Sequence, residues 1–110
     1  MCGFAGFFEF APTRSLDATI HLINEMTNRL THRGPDDRGH WANESGTVAF
    51  GHRRLSILDT SQHGHQPMTS PCGRFVIAYN GEVYNHVDLR RELLNGGMTF
   101  KGQSDTETIV

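Results

Sequence analysis

The sequence is short of cysteine, of long apolar runs and of net positive charge, and each shortage excludes something. It has two cysteines in 110 residues, Cys2 and Cys72, with no sign of a secretory route. A disulfide framework is therefore not expected, and both read as independent thiols. No apolar run approaches the roughly 18 to 20 residues of a membrane span, and "MCGFAGFF" lacks a basic n-region and a cleavage site. The expected location is the cytoplasm, with no membrane partner. Ten Lys and Arg stand against twelve Asp and Glu, and a formal charge of -2 leaves no basic footprint for nucleic acid. Internal repeats and low-complexity tracts are absent as well.

What is present suits one small soluble domain with a modest core. Seven histidines raise the question of a metal, and the densest grouping is His63 and His65 in "SQHGHQPM", followed by Cys72. That spacing matches no structural zinc pattern, and the glycine and proline around it mark a solvated loop. No metal or other cofactor is expected in this domain.

Apolar periodicity lays out the elements. "CGFAGFFEF" alternates small residues with phenylalanines and predicts a central first strand with close neighbours on one side. Leu16, Ile20, Ile23, Thr27 and Leu30 recur at helical spacing behind Ser15, an N-cap residue. "THRGPDDRGHW" has the composition of a turn and predicts a loop. "TVAFGHRRLSIL" and "RFVIAYNGEVYN" predict strands, the second broken at the hairpin dipeptide Asn80-Gly81, with a loop from Asp59 to about Cys72 between them. "NHVDLRRELLNGG" predicts a short helix capped by Asn85, with Gly96 in the left-handed position after its end. "MTFKG" is a strand candidate, and Ser104 with Glu107 has the spacing of a capping box opening a further helix. With so little of that last helix present, the chain reads as part of a longer protein and is expected to be poorly stable and to have little activity by itself.

Chemistry enters at Cys2. Cysteine is small enough for the initiator methionine to be removed before it, which would leave its thiol beside a free α-amino group. Such amines have a pKa near ~7.7 to 8.0, so one can serve as base for its own thiol directly or through a water. A small buried cysteine at the start of a strand is the plain alternative. Three further stretches carry polar groups suited to acyl transfer from an amide: "GHRRLSI", "YNGEVYN" and "GQSDTE".

The ordered set "MCGFAGFF", "HRGPDDRG", "GHRRLSILD", "YNGEVYNH" and "SDTE" resembles the N-terminal glutaminase domain of the asparagine synthetase family, among the class II glutamine amidotransferases. The resemblance implies an α+β fold of the N-terminal nucleophile hydrolase type, antiparallel sheets sandwiched between helices and incomplete in this chain. Residues 1-110 would be the N-terminal part of the glutaminase domain. It implies hydrolysis of L-glutamine to glutamate and ammonia through a thioester on Cys2. Asn80 and Gly81 would supply the oxyanion donors. Arg54 would receive the α-carboxylate and Asp105 the α-ammonium, with Glu82 and the backbone of Leu55 and Ile57 as further pocket groups. His32, Arg33 and Asp36 would organise the pocket without touching the amide.

The ammonia would serve an ATP-dependent amidation of aspartate or a related carboxylate in a synthetase domain absent from this sequence, where ATP and Mg²⁺ would bind. A homodimer of the longer protein fits the same expectation. A catalytically silent regulatory or assembly module of the same fold is the competing reading. A retained Met1 would favour it, because an amide nitrogen at Cys2 is no base.

Overall fold

The computed structural model describes residues 1–57 and 59–110. In chain order the elements are β1 (Gly3–Phe8), α1 (Leu16–Asn28), β2 (Asp37–Ala42), β3 (Val48–Arg54), a 3₁₀ turn (Gln62–Gly64), β4 (Met68–Thr69), β5 (Val76–Ile77), α2 (His86–Asn95) and α3 (Thr106–Ile109). The result is an α+β arrangement of antiparallel sheets and helices.

Three strands form the main sheet in the order β1-β3-β2. The register places Gly3 opposite Arg53 and Phe8 opposite Val48 on one side of β3, and Asp37 opposite Arg54 on the other. Sequence pattern placed β1 centrally, but among the described residues it is an edge strand and β3 is the central one. Its glycines meet different neighbours: a Cβ on Gly6 would stand 2.8 Å from the Phe50 ring of β3, whereas Gly3 faces the turn after α1. A Cβ on Gly3 would lie 3.2 Å from the Cβ of Arg33 and 3.4 Å from that of Leu30.

Helix α1 packs across this sheet and begins where Ser15 accepts a hydrogen bond from the Ala18 N–H. Thr19, Ile23 and Thr27 form its buried stripe. The narrow stripe lets helix and sheet approach closely, and a Cβ on Gly51 would collide with the Thr27 hydroxyl. Leu16, predicted on the core face, is exposed.

Several other expectations are corrected by the structure. The predicted loop at "DRGHWA" is strand β2, because pairing with β3 satisfies its backbone while polar side chains suit a sheet edge. The predicted strand from Arg74 shrinks to Val76–Ile77, which pairs with β4, and Asn80-Gly81 is no hairpin turn between strands. "MTFKG" is not a strand. Asn85 precedes α2 without a side-chain cap, and the left-handed glycine after that helix is Gly97 (φ 90°), whereas Gly96 stays at φ -78°. Glu107 accepts from the N–H groups of Lys101 and Gly102, not from Ser104 as a capping box would have it. Leu58, the end of the predicted strand "TVAFGHRRLSIL", lies outside the described residues.

Candidate active site

β1 and β3 run side by side, so the residue before β1 and the residue after β3 are neighbours. The Leu55 N–H donates to the Cys2 sulfur at 3.3 Å, and the thiol donates back to the Leu55 carbonyl at 3.6 Å. Cys2 is half-buried, with Met1 exposed in front of it. Both cysteines are free thiols.

The thiol borders a cavity of about 320 Å³, walled among others by Arg54, Leu55, Ile57, Asn80, Gly81 and Glu82. Every residue predicted for the site except Asp105 therefore lines one space. Asp105 is buried just behind the wall, of which its neighbour Ser104 is part. Its Oδ2 accepts the Val83 N–H at 2.8 Å, which ties the end of the Asn80–Val83 stretch to the start of α3.

Arg54, the last residue of β3, reaches the floor of the cavity. Nη1 donates to the Ser61 carbonyl at 2.8 Å and Nη2 to the Asp59 carbonyl, and the side chain is 7% exposed. Arg53 beside it points to the opposite face, as strand alternation demands, and donates to the Asn28 side chain at 2.9 Å. The loop that Arg54 grips is braced from within by the Asp59 carboxylate. Its Oδ1 accepts from the Ser61 N–H at 2.8 Å and the Ser61 hydroxyl at 2.6 Å, and its Oδ2 accepts from the Gln103 N–H at 2.8 Å. Those bonds, the Ser61 hydroxyl first, hold the Asp59 pKa at about 2.

The segment Arg33 to Asp36 adjoins the site without lining this cavity. Asp36 accepts the Ser56 N–H at 2.8 Å, and the Arg33 Nε lies 3.5 Å from the Met1 carbonyl oxygen to which it donates. These contacts set Arg33 and Asp36 beside Met1 and Ser56. His65 does not join His63 and Cys72 but pairs with Asp37 at 2.7 Å. Among the described residues no three His, Cys, Asp or Glu side chains gather as a metal would require.

Sequence reasoning passed over two buried residues, His52 and Gln66. His52 Nε2 donates to the Tyr79 carbonyl at 3.1 Å, and Gln66 Oε1 accepts the Tyr79 N–H at 2.6 Å. His52 stands in "GHRRLSI", which was read for Arg54, Leu55 and Ile57 only. Gln66 stands in "SQHGHQPM", which was read only for histidine.

A thiol, a guanidinium, a side-chain amide and carboxylates converging on one small space define a cysteine-centred pocket. The family agrees with that definition: the chain belongs to the glutamine amidotransferase domain family, which it matches over residues 1–110. It is 42% identical to the asparagine synthetase [glutamine-hydrolyzing] 1 of Bacillus subtilis over 110 residues, and 41% identical to that organism's asparagine synthetase [glutamine-hydrolyzing] 2. It is 32% identical over 117 residues to the amidase chry2 of Gibberella zeae. Each alignment covers 100% of this chain but only 17%, 14% and 17% of the respective relative.

Proposed function

We propose that this chain provides the glutamine-hydrolysing site of a class II glutamine amidotransferase with the N-terminal nucleophile hydrolase fold. The observation that carries the proposal is the single cavity shared by Cys2, Arg54, Asn80 and Gly81. After removal of Met1, the Cys2 α-amine takes the thiol proton and the sulfur attacks the side-chain carbonyl carbon of glutamine. The carbonyl π electrons move onto oxygen, and the Asn80 side-chain N–H and the Gly81 backbone N–H donate hydrogen bonds to the oxyanion that forms. Collapse breaks the C–N bond, and the proton held by the amine leaves with nitrogen as ammonia. Water then attacks the γ-glutamyl thioester, releasing glutamate and restoring the thiol.

Arg54 grips the α-carboxylate with the guanidinium N–H groups left over from its bonds to Ser61 and Asp59. Asp105 receives the α-ammonium, and its bond to Val83 holds that receptor in register with the oxyanion donors. Glu82, Leu55 and Ile57 complete the wall. The ammonia is passed to an acceptor carboxylate, aspartate or a related acid, activated in a synthetase domain of the longer protein. ATP and Mg²⁺ belong to that domain, and none of the steps above runs through them.

Two relatives are named for glutamine-dependent asparagine synthesis and a third as an amidase, so the glutamine half of the reaction has stronger support than the acceptor. The test is glutamate release by the natural full-length polypeptide. Cys2→Ala should abolish it, and Asn80→Ala should lower kcat by roughly 10²-fold to 10³-fold, the usual loss for one oxyanion donor. Wild-type turnover that survives Cys2→Ala would overturn the proposal.

A further inference from the structure

The oxyanion donors lie in a stretch with almost no regular structure. Between the end of β5 at Ile77 and the start of α2 at His86, no residue belongs to a strand or helix. An oxyanion hole must nevertheless be held rigidly, because a misplacement of about 1 Å can cost 10²-fold in rate. Something other than a sheet ladder has to hold Asn80 and Gly81 in place.

The candidate is the peptide group pair of Tyr79, the residue directly before Asn80. Its carbonyl accepts from His52 Nε2 at 3.1 Å and its N–H donates to Gln66 Oε1 at 2.6 Å. Both gripping side chains are buried, His52 at 1% and Gln66 at 6% exposure. His52 projects from central strand β3, two residues from Arg54, on the face away from α1. Because a carbonyl only accepts, Nε2 carries the proton and Nδ1 is bare. Among the described residues that buried Nδ1 has no partner, and desolvation keeps the ring's pKa below its ordinary value. A neutral ring in one tautomer is thus fixed on one acceptor. Gln66 uses its other end as well, donating from Nε2 to the Thr106 hydroxyl at 3.1 Å, next to Asp105. The ring of Tyr79 then folds under Gly81, where an added Cβ would stand 2.5 Å from its hydroxyl.

We propose that His52 and Gln66 are positioning residues for glutamine hydrolysis, clamping the Tyr79 backbone so that Asn80 and Gly81 present their donors at a fixed distance from Cys2. The inference rests on the oxyanion role given to Asn80 and Gly81 above. It assigns the clamp to the transition state: loosening it moves donors that matter when charge develops on oxygen, and leaves Arg54 and Asp105 to bind the substrate's α-groups.

The experiment is steady-state glutamine hydrolysis by the natural full-length polypeptide carrying His52→Leu, His52→Gln, Gln66→Met or the double change His52→Leu/Gln66→Met. Urea unfolding of each variant confirms how much of it is folded. The expected result for His52→Leu and Gln66→Met is a kcat lower by about 10²-fold with KM little changed. His52→Gln, which keeps an N–H donor at nearly the same reach, should recover most of the lost kcat. The double variant should lose scarcely more than either single one, since both side chains hold one peptide.

If folded His52→Leu and Gln66→Met keep wild-type kcat while Asn80→Ala loses it, the clamp is wrong and the oxyanion reading stands. If Asn80→Ala keeps wild-type kcat, the oxyanion reading fails and the clamp fails with it. A lower stability with unchanged kcat per folded molecule would make both residues merely structural and overturn the inference. Should His52→Leu not fold, the Gln66→Met kcat and the His52→Gln kcat decide the matter.

Discussion

Asp59 shows how one carboxylate can carry a loop. With Ser61 on one oxygen and the Gln103 N–H on the other, it joins the end of β3 to the approach to α3, and its own carbonyl holds Arg54. Its folded pKa of about 2 lies below the ordinary 3.8. The stabilisation is therefore complete above about pH 4 and is lost as pH falls toward 2, where the folded-state carboxylate also takes a proton. At neutral pH it is worth roughly 2 kcal/mol. Asp59→Asn should lower unfolding free energy by about that amount at pH 7 and flatten the fall in stability between pH 4 and 2. Paired urea titrations at pH 7, 4 and 2.5 would check this, and an unchanged acid slope in the variant would refute it. None of this was legible from the sequence, where Asp59 looked like the opening residue of a loop. That Cys2, Arg54 and Asn80 share one cavity was legible through the family resemblance of the motifs that hold them. His52 and Gln66 act through backbone groups that are distant in the chain, as Asp59 does through the Gln103 N–H, and no local pattern marks such partners.

At the level of elements, α1 was read well because two independent signals agreed, the helical spacing of its buried stripe and the Ser15 cap. Ser15→Ala should cost about 1 kcal/mol, the usual value for an N-cap hydroxyl, without altering glutaminase kcat. Thermal denaturation with parallel activity assays tests both halves of that statement. Strand β2 was misread because an edge strand can be as polar as a turn, and its partner β3 is what makes it a strand. The stretch after β5 was misread in the opposite sense. Its β-branched and aromatic residues suggested a long strand, but the Tyr79 and Val83 backbone groups bond to the side chains of His52, Gln66 and Asp105 instead of to a neighbouring strand. Composition reports that a backbone can be extended, and does not report what it bonds to. The segment before α3 is held in the same manner, with Arg90 of α2 donating to the carbonyls of Ser104 and Gly102 and lying over the Phe100 ring.

The whole molecule is held together more by polar side chains than by an apolar core. Among the described residues only Ile23 and Ala49 are buried apolar residues, against ten buried polar ones that include His52, Arg54, Asp59, Gln66 and Asp105. Phe4, Phe8 and Phe75 are more than half exposed. The radius of gyration, 14.8 Å, exceeds the ~13 Å of a compact domain of this length, in keeping with a flat body of 46 × 30 × 19 Å. Four of the ten buried polar residues, Arg54, Asp59, Gln66 and Ser104, line the cavity beside Cys2. The most direct measurement is the intact mass of the natural protein before and after a glutamine-like diazo-ketone, with and without excess glutamine. Cys72 serves as an internal comparison, because it is exposed and its hydrogen bond to Ser70 lowers its pKa. The account predicts a parent species lacking Met1 and one adduct, mapped to Cys2, suppressed by glutamine and absent from Cys2→Ala. A folded protein that keeps Met1, or that is labelled only at Cys72, would contradict it.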